Sequence, residues 1–193
     1  MTLSVRFRSL FGAAALAALS ATGAVAQSKE LVLYCSVGEE WCRVMSEAFT
    51  RETGINVLMT RKSSGETFAQ IKAEAAQPRG DVWWGGTGDP HLQAAQEGLT
   101  AEYRSPMLAE LQPWAVRQAE TAGYRTVGIY AGALGYGYNA TLVTENPPSC
   151  WKDLLDARFK DDIQVANPNS SGTAYTMLAT LVQLFGEDEA FAF

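Results

Sequence analysis

The fold is decided by residues 31–60, which read LVLYCSVGEEWCRVMSEAFTRETGINVLMT. The run 31–34 has the composition of a short apolar strand, and residues 39–51 repeat their apolar side chains at the spacing of a helix. The helical positions are Val44, Met45, Ala48 and Phe49. Gly54 ends this helix, and residues 55–60 alternate as a second strand. The stretch therefore predicts a strand, a helix and another strand in succession.

The same order follows once more along the chain. Ser63-Ser64-Gly65-Glu66 leads into a second predicted helix, which Pro78 and Gly80 end, and residues 81–84 form a third strand. The apolar face of that helix carries Phe68, Ile71 and Ala75. Strands that alternate with helices of 10 to 15 residues are typical of βαβ units, so we expect an α/β fold around a largely parallel sheet.

The pattern becomes less regular after the third strand. Asp89 and Pro90 suit the N-cap and first position of a helix that runs to about Glu97. Two further strands are predicted at 126–139 and 163–166. A short helix carrying Trp151, Leu154 and Leu155 is predicted between them.

The second half of the chain suggests a second lobe. The composition changes at 144–149, which include Pro147 and Pro148, and we interpret this break as a crossing between lobes. Residues 186–189 have the pattern of a helix start only a few residues before Phe193. We therefore expect a truncated chain whose second lobe is incomplete.

Residues 1–26 have the features of a cleaved secretory signal peptide. Arg6 and Arg8 precede the apolar run 10–19, which is shorter than the roughly 20 apolar residues that span a bilayer, and 24–26 is an A-x-A cleavage site. The remaining 167 residues hold 13 basic and 21 acidic side chains, a formal net charge of −8. This balance argues against a nucleic-acid partner, which needs a basic surface. We expect a soluble protein exported to the periplasm.

The cysteines agree with an oxidising compartment. Cys35 and Cys42 are placed to close a short loop between a strand end and the next helix, which we favour over two buried thiols. Their spacing is not C-x-x-C, so a redox-active pair is not indicated. Cys150 is left as a free thiol or as the partner of a cysteine outside this chain.

Four loops at one edge of the predicted sheet are rich in Ser, Thr and Gly. They are 35–38, 63–66, 85–89 and 167–173, and each follows a strand at the edge where open parallel sheets bind ligands. Backbone N–H groups and hydroxyls at helix N-termini bind anions. Taken singly, each loop fits an ordinary helix cap better than a ligand site, since Ser63 with Glu66 matches the S-x-x-E capping box. The run 169–173 nevertheless offers more polar groups than a cap uses.

The other candidate residues favour structural roles. His91, on the first turn of a helix, is expected to be solvated, and metal sites need clustered Cys and His ligands that the sequence lacks. The usual hydrolase, NTPase and dinucleotide motifs are missing as well. Trp83 and Trp84 should face opposite sides of the sheet. Tyr136 and Tyr138 are expected in a core or hinge.

Five ordered motifs resemble those of the periplasmic solute-binding proteins of ABC importers. They are LVLYCSVGEEWC, RKSSGETFAQIKAEA, DVWWGGTGDP, GIYAGALGYGYN and DIQVANPNSSGTAYT, and together they span most of residues 30–193. The chain looks most like the branch that contains ferric-iron, hexose-phosphate and 2-aminoethylphosphonate binders. The resemblance implies a type II periplasmic-binding-protein fold of two lobes, with residues 27–139 in lobe I and 140–193 as the beginning of lobe II.

The resemblance also implies a set of cleft contacts. Carried over residue by residue, the ligand-binding positions are Ser36, Ser64, Gly65, Gly86, Thr87, Ser171, Gly172 and Thr173. Iron-binding members rely on a tyrosine pair that lies later in the chain than Phe193. Serine-rich loops suit a phosphate or phosphonate better than Fe(III), which prefers carboxylate and phenolate oxygens.

The resulting functional hypothesis is capture of a small anionic solute, without a cofactor or metal site. A monomer would close its lobes on a phosphate ester or phosphonate and deliver it to an ABC permease in the inner membrane. The first alternative is a ferric-iron carrier, and the second is an exported enzyme in which Glu66 or Asp89 acts as general base. A third is a structural domain of the envelope, which would bind no small molecule.

Overall fold

The computed structural model describes residues 29–193. The predicted signal peptide, 1–26, lies outside the described residues. Three parallel strands form the sheet: β1 (Glu30–Cys35) lies in the centre, between β2 (Asn56–Arg61) and β3 (Val82–Trp84). In register, Leu33 of β1 pairs with Met59 of β2 and with Val82 of β3. This arrangement confirms the predicted α/β class and the three strand positions.

The helices that follow the three strands also lie near the positions that the sequence predicted. Helix α1 is Glu39–Thr53, α2 is Ser64–Ala73 and α3 is Gly88–Gln96. Gly54 ends α1 in the left-handed conformation, with φ of 70°. The predicted cap of α3 is wrong, because Thr87 occupies the N-cap position and places Asp89 and Pro90 inside the first turn. The helix therefore begins two residues earlier and brings Thr87 to the edge of the sheet.

The remaining described elements are helical. They are α4 (Pro113–Thr121), α5 (Gly172–Phe185), α6 (Glu187–Ala192) and 3₁₀ turns at Leu108–Glu110, Trp151–Leu155 and Ala157–Phe159. The short helix predicted around Trp151 is thus a 3₁₀ turn, and the helix start predicted at 186–189 is α6. None of the described helices is long and apolar enough to cross a membrane.

The core beneath the sheet edge is built around a disulfide. Cys35 and Cys42 are bonded and fully buried, with their Cα atoms 6.2 Å apart, which confirms the predicted pairing. Leu33 completes the buried centre, and partly buried side chains pack against it: Leu31, Val37, Val57, Met59 and Trp84. The disulfide ties the end of β1 to the first turn of α1. Cys150 is a free, exposed thiol.

Two predicted strands, 126–139 and 163–166, do not form within the described chain. Both segments are irregular, and neither joins the three-stranded sheet. Apolar side chains such as Ile129 and Val165 remain substantially exposed. Their sequence has the composition of strands, but a strand is stable only when its backbone N–H and C=O groups find a partner strand. The predicted division into lobes at residue 140 stays a prediction.

Candidate functional site

Three helices direct their N-termini at one point on the carboxyl edge of the sheet. They contribute Ser64, the first residue of α2; Thr87, the N-cap of α3; and Gly172, the first residue of α5. We call these residues the helix-terminus cluster. The backbone N–H of Thr87 donates to Ser64 Oγ at 3.2 Å. A Cβ placed on Gly172 would overlap Thr87 Oγ1 and would lie 2.9 Å from Ser64 Oγ.

The convergence has an electrostatic consequence. Each helix N-terminus presents unpaired N–H groups and a partial positive charge, worth about 0.3–1 kcal/mol for a nearby anion and up to about 2 kcal/mol when partly buried. The residues of the cluster are Ser, Thr and Gly, so the cluster itself has no acidic side chain that would neutralise this positive charge. Thr87 Oγ1 is buried and has no hydrogen-bond partner among residues 29–193. The cluster therefore offers donors to a negatively charged group.

A glycine turn lets the backbone approach the cluster. Gly85 and Gly86 have φ of 79° and 94°, a region that favours glycine. A Cβ at Gly86 would overlap Ser64 Oγ and would lie 3.0 Å from the Cβ of Ser36, so Ser36 and Ser64 flank this glycine. The Tyr130 hydroxyl holds the turn, because it accepts from Gly86 N at 2.7 Å and donates to Gly86 O at 2.9 Å. No local motif marks Tyr130, since it contacts a turn 44 residues earlier.

The loop before α5 is hydrogen-bonded to the N-terminus of α2 through one carbonyl group. The Ser170 carbonyl oxygen accepts from Gly65 N at 3.0 Å and from Ser63 Oγ at 2.5 Å. This oxygen lies at the position where a helix N-terminus can bind an anion. The neighbouring Glu66 carboxylate accepts from Ser63 N at 3.0 Å, which confirms the predicted capping box. The Ser63 hydroxyl, shared between the Glu66 carboxylate and the Ser170 oxygen, and the Ser63 backbone N–H lower the pKa of Glu66.

Ser36 is fixed by two side chains that the sequence analysis did not assign to the site. Its Oγ lies 2.9 Å from Thr67 Oγ1 and accepts a hydrogen bond of 2.9 Å from Trp83 Nε1. Thr67 is almost fully buried. The opposite faces predicted for the two tryptophans are observed, since Trp84 packs against the disulfide core whereas Trp83 points to the site.

The prediction that His91 is solvated is wrong. Its ring stacks on Trp83 with the centroids 3.7 Å apart and the planes at 21°, and its Nε2 lies 2.9 Å from Gly85 O. Burial lowers the pKa of His91, so the neutral form that donates to Gly85 O is favoured. A histidine on the first turn of α3 packs inward here because Trp83 of β3 and the Gly85 carbonyl lie within reach of its ring.

The structure brings together most of the predicted contacts but not all of them. Ser36, Ser64, Gly65, Gly86, Thr87 and Gly172 lie in or beside the helix-terminus cluster. Ser171 Oγ accepts from Ala174 N at 3.3 Å, so its hydroxyl caps α5, and Thr173 is exposed on the first turn of that helix. Elsewhere, Tyr136 packs edge-on against Trp151 at 5.3 Å. The described residues contain no group of three or more His, Cys, Asp or Glu that could hold a metal ion.

Comparison with known sequences identifies the family of the chain. A profile of bacterial extracellular solute-binding proteins matches residues 88–193, more than half of the sequence, including two of the three helices that meet at the cluster. The chain belongs to this family. The resemblance seen in the sequence motifs is therefore confirmed.

Two relatives extend the match over the N-terminal half. The chain is 43% identical over 181 residues to an uncharacterized protein of Haemophilus influenzae, which covers 92% of this chain and 52% of the relative. It is 29% identical over 155 residues to a Salmonella typhimurium protein named for binding 2-aminoethylphosphonate in the periplasm, covering 79% and 43%. The chain thus spans about half the length of the relatives that it matches.

Solved structures show the same fold. The periplasmic binding protein P5PA superimposes with a TM-score of 0.79 at 39% identity, over 84% of this chain and 53% of that one. AfuA from Actinobacillus pleuropneumoniae, solved with exogenous fructose-6-phosphate, gives 0.79 at 41% identity over 84% and 52%. Iron-bound HitA from Pseudomonas aeruginosa gives 0.60 at 24% identity over 83% and 51%, a likeness that shows the fold alone. The predicted periplasmic-binding-protein fold is confirmed.

Proposed function

We propose that this protein is the extracytoplasmic solute-binding component of an ABC importer. It captures a phosphate ester or phosphonate between two lobes, as a monomer in the periplasm, and delivers it to a permease in the inner membrane. Membership of the solute-binding family supports the transport role. The named ligands of two relatives, 2-aminoethylphosphonate and fructose-6-phosphate, support the solute class. Both carry a tetrahedral oxyanion.

The observation that carries this proposal is the unpartnered hydroxyl of Thr87 at the meeting point of three helix N-termini. A buried hydroxyl without a hydrogen bond costs about 1–3 kcal/mol, and Thr87 Oγ1 has no partner among the described residues. An oxyanion at this point would accept from Thr87 Oγ1 and from N–H groups of the helix N-termini. The hydrogen bond formed on binding therefore offsets the free-energy penalty of burying the Thr87 hydroxyl without a partner.

Capture requires the loop that precedes α5 to move. Gly172 lies so close to Thr87 and Ser64 that even a Cβ does not fit between them. The carbonyl of Ser170 also accepts the hydrogen bond of Gly65 N, which could otherwise donate to an anion. A phosphate group enters when residues 169–173 separate from α2, and it then replaces the Ser170 oxygen at the helix terminus. Closure around the solute follows by motion between the lobes.

The proposal predicts opposite effects on stability and on binding for one substitution. Thr87→Val keeps the shape of the side chain and removes the unpartnered hydroxyl, so folding is unchanged or stabilised. Because hydrogen bonds to charged groups contribute about 1.5–3 kcal/mol, affinity for fructose 6-phosphate should fall by roughly 10-fold or more. Calorimetric titration and denaturant unfolding of the full-length protein measure the two quantities.

Thr100→Val provides the matched control. Thr100 Oγ1 is likewise buried without a partner in the described chain, and it lies outside the helix-terminus cluster. Its substitution should affect folding similarly and leave affinity unchanged. Titrations with 2-aminoethylphosphonate, inorganic phosphate and fructose establish whether the oxyanion is required. The proposal would be contradicted if fructose bound without a phosphate group, or if both variants lost the same affinity for fructose 6-phosphate. It would also be contradicted by a tyrosinate-to-iron colour with Fe(III) or by turnover of the phosphate ester.

A further inference from the structure

The Ser36 hydroxyl lies beside the glycine turn next to the helix-terminus cluster and makes two side-chain hydrogen bonds. Trp83 Nε1 donates to Ser36 Oγ at 2.9 Å, and the hydroxyl of Thr67 lies 2.9 Å from the same oxygen. The indole N–H only donates, whereas the two hydroxyls both donate and accept. Trp83 therefore fills one acceptor position of Ser36, and the Ser36 hydrogen points away from Trp83.

We infer that Trp83 is a positioning residue that makes the Ser36 hydroxyl a donor to the oxyanion of the solute. The inference rests on the proposed function and specifies how one contact of that site is oriented. When an anion lies beside Gly86, Thr67 donates to the second acceptor position of Ser36. Both acceptor positions are then filled, and the single Ser36 hydrogen has only the solute as its acceptor. An ionised phosphate or phosphonate oxygen satisfies it, whereas a donor group in that place does not.

The packing around Trp83 holds its N–H in this direction. The indole stacks on the His91 ring at 3.7 Å, and His91 Nε2 is bonded to Gly85 O at 2.9 Å. The ring pair thus joins β3, the first turn of α3 and the glycine turn. A Cβ on Gly86 would lie 3.0 Å from the Cβ of Ser36, so the oriented hydroxyl sits directly beside that turn. The geometry couples the position of the turn to the orientation of Ser36.

A double-mutant cycle in the full-length protein tests this coupling. Trp83→Phe keeps an aromatic ring for His91 and removes the N–H, and Ser36→Ala removes the hydroxyl that Trp83 orients. Affinities for fructose 6-phosphate and inorganic phosphate are measured by calorimetry. We expect Trp83→Phe to weaken binding about 2- to 10-fold in the wild-type background, the range of one hydrogen bond, and to have no further effect in the Ser36→Ala background. Trp84→Phe, on the other face of the strand, should leave affinity unchanged in both backgrounds.

A second measurement needs no substitution of Trp83. The Nε1–H resonance of Trp83 in the NMR spectrum should shift when fructose 6-phosphate is added to the wild-type protein and should not shift in Ser36→Ala. If the wild-type protein binds but Trp83→Phe weakens binding equally in both backgrounds, or not at all, Trp83 has only a structural role and the inference is overturned. If the wild-type protein binds no oxyanion, the proposed function itself fails.

Discussion

The close packing of Gly172 can be tested by adding a single methyl group. Gly172 and Gly88 are the first residues of α5 and α3, so Gly→Ala changes the same helical position in both. Nothing lies within 4 Å of a Cβ on Gly88. A Cβ on Gly172 would overlap Thr87 Oγ1 and approach Ser64 Oγ and Cβ to 2.9 and 3.0 Å. The two variants therefore differ mainly in the space available.

The expected magnitude follows from two opposing terms. Alanine restricts the unfolded chain, so Gly→Ala at a compatible helical position stabilises by about 0.4–1 kcal/mol. Forcing a methyl group into a filled space costs about 1–3 kcal/mol. Gly88→Ala should be neutral or slightly stabilising, whereas Gly172→Ala should range from nearly neutral to destabilising by about 2.6 kcal/mol. The difference between the variants isolates the packing cost.

Urea unfolding of the full-length protein without ligand, followed by circular dichroism, measures this difference. Thr87→Ala removes the atom that the new methyl group would overlap, so it should partly rescue Gly172→Ala and leave Gly88→Ala unaffected. Equal unfolding free energies for the two glycine variants would refute the packing described here. A rescue that appeared in both backgrounds would refute the assignment of Thr87 as the obstructing side chain.

Three further outcomes follow from the described contacts. Reduction of the Cys35–Cys42 bond, or substitution of both residues by Ala, should lower the unfolding free energy by roughly 2–3 kcal/mol, measured by urea unfolding with and without reductant. Hydrogen bonds from Ser149 lower the pKa of Asp153 to about 2, so the stability that this carboxylate contributes is complete above about pH 4 and is lost as pH falls through 2. In Asp153→Asn, the unfolding free energy should depend less on pH in this range. Burial lowers the pKa of His91 below its ordinary 6.5, so stability should decline as pH falls below 6.5, and thermal unfolding of His91→Gln should lack that decline.

The sheet was predictable because its signals are local. Strands 31–34 and 55–60 alternate with helices whose ends carry their own markers, such as Gly54 and the capping box of Ser63. Each of these features depends on neighbours within a few residues. The strand predictions at 126–139 and 163–166 failed because a strand also needs a partner backbone, which its own composition does not specify.

The candidate site was only partly predictable for a related reason. Glycines and hydroxyls at strand ends indicated where the site lies, since the carboxyl edge follows from the topology. The side chains that orient it come from distant positions: Trp83 contacts Ser36 across 47 residues, and Tyr130 reaches Gly86 across 44. His91 appeared solvated because the sequence of its helix does not show that its ring stacks on Trp83 of β3. Contacts of this kind depend on how distant segments pack together, which a local sequence pattern does not specify.

Under the proposed function, selectivity among oxyanion solutes must arise from side-chain geometry more than from the helix N-termini. Backbone N–H groups and helix dipoles favour any oxyanion, so the helix-terminus cluster by itself does not distinguish inorganic phosphate from a phosphonate or a phosphate ester. A hydroxyl can rotate to donate or to accept, so it selects for an acceptor on the solute only when neighbouring groups fix the direction of its hydrogen. Ser36 accepts from Trp83 and lies 2.9 Å from the Thr67 hydroxyl, and we propose that it is such a hydroxyl, whereas the Ser171 hydroxyl accepts as the cap of α5. Loss of Ser36 should therefore reduce discrimination between ionised and protonated phosphonates, and loss of the cap should reduce the stability of α5 instead.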